Sequence, residues 1–307
     1  MRARMHMVGR ARDLLTLADP AIPAVLAEGG FEATVTPDRQ ILALETEPAR
    51  PGTAALVGSR AGSQLRGAIA EALPEDLRGG TPLYLLLDDV AGASLVAPWA
   101  WSQWADDWLH RMHSAAESGA IEQHRRKMMG VCVGFSPESP VYQPGGRTLP
   151  DMNRTVVPLD GNGDPFAWHA LSVQDGPSAR RARRIEVSLD GPTIRVETHF
   201  QDSAPMPEGG RTAVHEYLVR ATIDRASLTL TSLEADPRIL PFSYCPAATL
   251  NIGRVVGTPV RELRQRVLTE FARTEGCTHL NDVMRSLAEV PLLAQRLEAA
   301  LGAAEAG

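Results

Sequence analysis

The stretch IEVSLDGPTIRVETHFQ, residues 185–201, decides the fold of the C-terminal half of the chain. Apolar and polar residues alternate on both sides of Asp190-Gly191, a dipeptide that favours a tight turn. The pattern predicts two strands, residues 185–189 and 193–201, that pair as a hairpin. We therefore expect an antiparallel sheet in this half of the protein.

More strands are predicted on either side of this hairpin. Residues 213–223 and 227–234 alternate in the same way around Asp224-Arg225. Residues 31–47 have the pattern of another hairpin, and the apolar run 82–87 indicates a buried strand. Helical spacing of apolar residues predicts helical segments at 64–73, 98–116, 246–256, 260–272 and 279–303.

These elements predict an α+β fold, with antiparallel sheets, helices packed on one side, a Trp-rich N-terminal helix and helical segments at the C-terminus. We expect an N-terminal α+β lobe over residues 1–150 and a C-terminal lobe over residues 183–307. Residues 151–182 are rich in Pro and Gly, which favours a connecting segment between the lobes.

The composition bounds the partners and the location. The 307 residues are 44% hydrophobic and 22% charged, so the chain can bury a core. A net charge of -6 argues against nucleic acid as a partner. No apolar run approaches the roughly 20 residues that span a bilayer, so no membrane partner is expected. Three cysteines and no secretory pattern predict a cytoplasmic location, and a homodimer is an open alternative.

A box near the C-terminus places a thiol, a hydroxyl and an imidazole on consecutive positions, Gly276-Cys277-Thr278-His279-Leu280. The apolar spacing downstream predicts a helix that begins at about Thr278, with Thr278 as its N-cap and Asp282 in the first turn. Cys277 and His279 would then lie at the positive end of the helix, where a thiolate is stabilised.

A second group of candidate site residues lies on the predicted strands. If Phe200 pairs with Val214, then His199 lies opposite His215 on the same side of the sheet. His215 alternates with apolar residues, so a structural role is its main alternative. The group comprises His199, Asp202, His215 and Glu216.

Three other features have both a functional and a structural interpretation. Trp101, Trp104 and Trp108 share one helical face, which either lines an aromatic pocket or packs in the core. Cys245 is either a zinc ligand together with Cys277 and His279 or a small buried hydrophobe, and the absence of a C-x2-C knuckle favours the second interpretation. The basic residues 180–184 either recognise an anion or form a solvated loop. The motifs of phosphate-binding loops, dinucleotide-binding folds and serine hydrolases are missing from the sequence.

The C-terminal half resembles a bacterial family of unknown function that has the same Gly-Cys-Thr-His-Leu box. The resemblance covers roughly residues 183–290 and follows motifs in order. They are Arg183-Arg184-Ile185, Glu197-Thr198-His199, Gln201-Asp202, His215-Glu216, Ala221-Thr222-Ile223-Asp224, Glu234-Ala235, Pro241, Cys245-Pro246, Val256-Gly257 and Gly276 to Leu280. The family often has Asp where Glu216 stands, and a Trp that follows its Val-Gly pair is replaced here by Val260-Arg261.

This kind of protein is also similar to γ-formaldehyde lyases of lignin-dimer breakdown. The similarity implies a cofactor-independent lyase that acts on a small aromatic substrate and leaves a stilbene. His215 or His279 would be the base and Glu216 would orient it or act as acid. Asp202 and His199 would hold substrate oxygens. The substrate would be bound by Trp101, Trp104, Tyr217, Cys277 and Thr278.

Two alternatives belong to other functional classes. One is a metal-dependent hydrolase or oxygenase in which His199, His215, His279 and a carboxylate hold a divalent ion. The other is a non-catalytic binding protein, whose long central segment would be the recognition loop. The most informative observation would be the distance between His215 and His279, because convergence of the two imidazoles would join separate motifs into one site.

Overall fold

The computed structural model describes residues 4–16, 23–105, 125–144, 150, 152–159, 164–170, 172, 174 and 176–305. Their contacts divide the chain into two compact units. Unit 1 contains the described residues up to Pro98, residue 105 and those in the range 159–173. Unit 2 contains residues 99–104, the described residues from 125 to 158 and those from 174 onward. It therefore holds all of the candidate residues named above on the strands and in the C-terminal box.

Unit 1 is a three-stranded antiparallel sheet followed by short helices. The predicted hairpin at 31–47 is confirmed, and a further strand precedes it. The strands, in the order β1-β2-β3, are Met5–Leu15, Ala24–Val35 and Ile41–Glu47. The helices are α1 at Leu65–Ala72, α2 at Pro74–Gly79, α3 at Pro82–Asp88 and α4 at Val90–Ser102, of which residues 99–102 belong to unit 2.

The strand predicted at 82–87 is wrong, because these residues form helix α3. The Thr81 hydroxyl accepts a hydrogen bond from the backbone N–H of Tyr84, and Pro82 occupies the first turn, where its missing N–H is harmless. A short apolar run has no period that separates a buried strand from a buried helix. The helix predicted at 98–116 begins earlier, at Val90, and ends at Ser102, so Trp104 lies beyond it and does not share a helical face with Trp101. Residues 106–124, including Trp108, lie outside the described residues.

Asp76 connects the helices of unit 1. Its carboxylate accepts hydrogen bonds from Arg50 Nε at 2.8 Å, Arg50 Nη2 at 3.0 Å and the Thr81 hydroxyl at 3.0 Å. Burial by itself raises the pKa of Asp76, but the hydrogen bonds from Arg50 and Thr81 outweigh this and lower it below its ordinary 3.8.

Replacement of Asp76 by Asn should lower the free energy of unfolding at pH 7 by about 2 kcal/mol, since Arg50 loses its charged partner. A lowered folded pKa means that this contribution exists above the unfolded pKa and is lost as the pH falls through the folded value. Urea unfolding of the two proteins at pH 7 and pH 3 checks this. A difference that is as large at pH 3 as at pH 7 would contradict the role of the ionised carboxylate.

Unit 2 contains a five-stranded antiparallel sheet. Both predicted strand pairs are confirmed and each strand is longer than expected. The strands are β4 at Arg154–Val156, β5 at Arg180–Asp190, β6 at Thr193–Pro205, β7 at Arg211–Asp224 and β8 at Thr229–Ile239. β5, β6, β7 and β8 pair in sequence order, and β4 pairs with the start of β7. β4 and the beginning of β5 lie within the expected connecting segment 151–182.

The assumed pairing of β6 with β7 is wrong. Asp202, and not His199, lies opposite His215. β6 continues to Pro205 and β7 begins at Arg211, so the connection is shorter than the sequence pattern suggested. A bulge shifts the register at Asp202/Ser203, so that Val214 is the additional residue on β7.

Helices from the C-terminal segment pack in the core of unit 2. They are α5 at Leu263–Glu270, α6 at Thr278–Ser286 and α7 at Val290–Glu305. The segment predicted as helical at 246–256 forms two 3₁₀ turns, Cys245–Thr249 and Ile252–Val255. The core includes the fully buried residues Phe200, Tyr217, Ile223, Val267, Phe271, Val283 and Leu287. The fold is thus α+β with antiparallel sheets, as the sequence predicts.

Within the described residues, no single helix has both the length and the apolar character needed to cross a bilayer. Helices α3 and α4 together meet that test by length and composition, but they are bent by 47° relative to each other.

Candidate active site

Three adjacent strands and helix α6 bring five polar side chains together in unit 2. Arg181 on β5 pairs with Asp202 on β6, which in turn pairs with His215 on β7. Paired residues of a sheet point to the same face, so the three side chains lie in a row. Helix α6 supplies His279 and Asp282. All five residues are buried or nearly so.

Ion pairs fix the position of Asp202. Arg181 donates from Nε and Nη2 to the two oxygens of Asp202, both at 2.9 Å, and from Nη1 to Asp282 Oδ2 at 2.9 Å. The side chains of Arg181, Asp202 and Asp282 are 5%, 0% and 4% exposed. Arg285 lies 3.7 Å from Asp282 Oδ1, so two guanidinium groups balance two carboxylates. A bidentate, desolvated arrangement of this kind is rigid.

The imidazoles of His215 and His279 stack on each other beside Asp202. Their ring centroids are 3.5 Å apart and their planes differ by 21°. Asp202 Oδ2 lies 3.7 Å from His215 Nδ1 and 3.5 Å from His279 Nε2. One imidazole from the sheet and one from a C-terminal helix therefore converge, and each side chain is 11% exposed.

The protonation of His215 follows from its surroundings. Burial lowers the pKa of His215 well below its ordinary value of 6.5, and the neighbouring His279 lowers it further. The Asp202 carboxylate acts in the opposite direction, but it does not reverse the shift. The ring of His215 is therefore neutral at neutral pH and has a nitrogen lone pair that can accept a proton or a ligand.

The Gly-Cys-Thr-His-Leu box forms the start of helix α6. The helix begins at Thr278 as predicted, but its N-cap is Cys277 and makes no side-chain capping hydrogen bond. Cys277 Sγ lies 3.8 Å and Thr278 Oγ1 3.3 Å from His279 Nδ1. Burial raises the pKa of Cys277, so the expected thiolate is wrong and the residue is a thiol.

Gly276 allows the chain to turn into α6 at this point. A Cβ atom there would lie 2.8 Å from Phe271 Cβ and 2.9 Å from the Phe271 carbonyl oxygen. The box therefore begins with glycine because the backbone passes directly against Phe271. Asn281, which follows the box, donates to the same carbonyl at 2.8 Å and holds the turn in place.

His199 and Glu216 do not join the stacked imidazoles. His199 is three residues from Asp202 on β6 and Glu216 is one residue from His215 on β7, and side chains an odd number of residues apart on a strand point to opposite faces. His199 Nε2 lies 3.3 Å from Glu216 Oε1, and Gln201 donates to Glu216 Oε2 at 2.8 Å. This second cluster is on the other face of the sheet, so the four-ligand metal set that includes His199 is not assembled.

The residues predicted to bind substrate are placed differently from one another. Tyr217 is fully buried, with its hydroxyl beside the Cys277 thiol, and its burial raises its pKa well above 10. The Trp104 indole donates to the carbonyl oxygen of Pro205 at 3.0 Å, at the end of the strand that carries Asp202. Trp101 is half-buried.

Comparison with protein families identifies this part of the chain. Residues 179–293 match a family described as a protein of unknown function, DUF2889. The chain therefore carries a DUF2889 domain, in agreement with the expected resemblance to a family of unknown function. The matched range contains the whole row from Arg181 to His215 and helix α6. Comparisons with curated proteins and with solved structures gave no match.

Sequence reasoning missed Arg181 and Asp282 as site residues of the DUF2889 domain. The basic residues were expected in a loop or at an anion site, whereas Arg181 and Arg183 lie on β5, and Arg183 Nη1 donates to the Asp282 carbonyl at 3.0 Å. The sequence did contain a signal for this position, because Arg181 and Arg183 are two residues apart directly before a predicted strand. If the strand begins earlier, both side chains lie on the same face of the sheet. Asp282 was interpreted only as a first-turn residue of the helix.

Replacement of Asp202 by Asn should lower the free energy of unfolding by about 3 kcal/mol, because Arg181 would remain buried with half of its charge balance removed. Asp190→Asn is the matched control on the same hairpin. Asp190 forms an ion pair with Arg195, and the two side chains are 58% and 60% exposed. Asp190→Asn should therefore change the free energy of unfolding by no more than about 0.5 kcal/mol. Urea denaturation of the three proteins measures both. Equal effects of the two substitutions would contradict the anchoring role of Asp202.

Proposed function

We propose that this protein is a carbon–carbon lyase that releases formaldehyde from the γ-hydroxymethyl group of a lignin-derived aromatic dimer and leaves a stilbene. The stacked pair of His215 and His279 carries the proposal, because the reaction requires a group that takes up a proton and returns it. The similarity to γ-formaldehyde lyases that we expect for this kind of protein suggests the substrate class.

The proposed reaction begins when a neutral imidazole of the pair removes the proton of the γ-hydroxyl group. The Cβ–Cγ bond breaks, the γ-oxygen electrons form the carbonyl of formaldehyde, and the bonding electrons form the Cα=Cβ double bond. The bond between Cα and its oxygen breaks, and that oxygen receives a proton. A para-hydroxyaryl ring assists departure of this oxygen by forming a quinone methide. The overall reaction consumes no oxidant or reductant, so the scheme requires no organic cofactor.

The two histidines divide the proton transfers in this scheme. His215 is neutral at neutral pH, which suits it to accept the γ-hydroxyl proton. His279 is in ring contact with it and is suited to donate its own proton to the α-oxygen; solvent then takes the proton from His215 and restores the one on His279, so that one proton is taken up and one is returned in each turnover. Asp202 is fully buried, so its role is to orient both rings and not to touch the substrate. Thr278, which is only partly buried, lies beside His279 and is placed to bind a substrate hydroxyl.

In this proposal Trp104 supplies an aromatic wall for the substrate. Trp104 contacts the carbonyl of Pro205, and Pro205 lies three residues from Asp202 on β6, about 10 Å along the strand. In this proposal the flat indole at that end of the strand stacks on one ring of a two-ring substrate whose central carbon chain lies at the histidines. Tyr217 and Cys277 are too deeply buried for this role; Cys277 instead contacts His279, and the Tyr217 hydroxyl lies beside Cys277.

His215→Asn and His279→Asn should each reduce formaldehyde release from a phenylcoumaran or a diarylpropane diol by about 10²–10⁴-fold, because each removes a proton-transfer group. His199→Asn is the matched control. It alters a histidine on the adjacent strand that faces the other side of the sheet, and it should leave turnover within a few-fold of the starting protein. Formaldehyde and stilbene are assayed together with purified, metal-stripped protein.

Equal loss of turnover in His199→Asn and His215→Asn would contradict the assignment of the reaction to the stacked pair. Silence of the unaltered protein across a panel of such substrates would reject the lyase. Melting temperatures are recorded for all variants, so that loss of the fold is not mistaken for loss of chemistry.

A further inference from the structure

The stacked histidines and the box cysteine also form a group with the composition of a metal site. One ring nitrogen of His215, one of His279 and the sulfur of Cys277 all lie within 4.8 Å of one another. Two imidazoles and a cysteine sulfur suit zinc and related divalent ions, and the Cys277 thiol releases its proton to solvent when an ion binds. All three residues are buried, so the group is not an accidental surface cluster.

The spacing of these atoms fits tetrahedral coordination. With Zn–N and Zn–S bonds of about 2.1 and 2.3 Å, a tetrahedral ion holds its nitrogen and sulfur ligands about 3.6 Å apart. The observed distance from His279 Nδ1 to Cys277 Sγ is 3.8 Å. His279 and Cys277 therefore already lie at nearly the required separation, whereas His215 is stacked on His279 and must rotate out of that stack to direct a nitrogen lone pair at the same ion.

Asp202 lies beside one nitrogen of each imidazole in the proposed metal site. Its Oδ2 atom lies near His215 Nδ1 and His279 Nε2, at 3.7 and 3.5 Å. The opposite nitrogen of His279, Nδ1, is the one that faces Cys277. Metal-binding histidines commonly direct their second nitrogen to a carboxylate, which fixes the orientation of the ring. Because Arg181 occupies both oxygens of Asp202, that carboxylate serves as the orienting group and not as a ligand.

We propose that His215, His279 and Cys277 bind one zinc-like divalent ion, and that the bound ion inhibits the reaction by occupying the imidazole lone pairs. The metal binding stands independently of the lyase chemistry, whereas the inhibition rests on the proposed function. A nitrogen lone pair that coordinates an ion cannot accept the γ-hydroxyl proton. The fourth position of a tetrahedral ion remains for water or another small ligand.

Titration of the metal-stripped full-length protein with Co²⁺ tests the binding. The expected result is one ion per chain with a thiolate-to-cobalt charge-transfer band, together with a rise in melting temperature that Zn²⁺ reproduces. Cys277→Ala and Cys277→Ser should abolish the band. Cys245→Ala is the control, since Cys245 is also a buried cysteine of this core but is not one of the three ligands, and it should retain the band.

A wild-type protein without the band, or a band that persists in the Cys277 variants and disappears in Cys245→Ala, would overturn the site. Two Cys277 variants are used so that, if one of them does not fold, the other still shows whether the band depends on Cys277. Formaldehyde release with and without one equivalent of Zn²⁺ then tests the inhibition. Binding without any change in turnover would reject the inhibition alone, and a protein that binds Co²⁺ but never releases formaldehyde would reject the lyase and leave the metal site intact.

Discussion

The buried ion pair between Arg181 and Asp202 is the interaction on which the site depends. A carboxylate with no solvent exposure would cost several kcal/mol without a charged partner, and Arg181 meets that need with two parallel hydrogen bonds. Because the two residues are paired on neighbouring strands, the register of the sheet determines their contact. Asp202 is thereby held in one place and can orient His215 from the sheet and His279 from helix α6.

The same geometry explains why two chemistries meet at one site. A pair of imidazoles whose outer nitrogens are directed to a fixed carboxylate has its remaining nitrogens in defined positions. Such nitrogens serve equally well to accept a proton or to coordinate an ion. The position of Cys277 one residue before α6 adds a sulfur to this group, and the close passage of Gly276 against Phe271 fixes where the helix begins.

Much of this fold was predictable from local patterns, but the contacts between elements were less so. The hairpins at 31–47, 185–201 and 213–234 follow from alternation and turn residues, and the start of α6 follows from helical spacing. The pairing of His215 with Asp202 did not follow, because a bulge and an unexpectedly short turn shift the register by amounts that alternation does not reveal. Helix α3 was mistaken for a strand because its apolar run is too short to show a period. The thiolate expectation failed because burial of Cys277 outweighs the field at the helix start.

The central claim is that Asp202 holds the imidazoles of His215 and His279 against each other in the folded protein. Nuclear Overhauser contacts between the ring protons of the two residues, in protein labelled at histidine, test it most directly. We expect a strong cross-peak between the two rings that weakens or disappears in Asp202→Asn while the fold is retained. Two assigned histidines with no mutual cross-peak in the unaltered protein would contradict it.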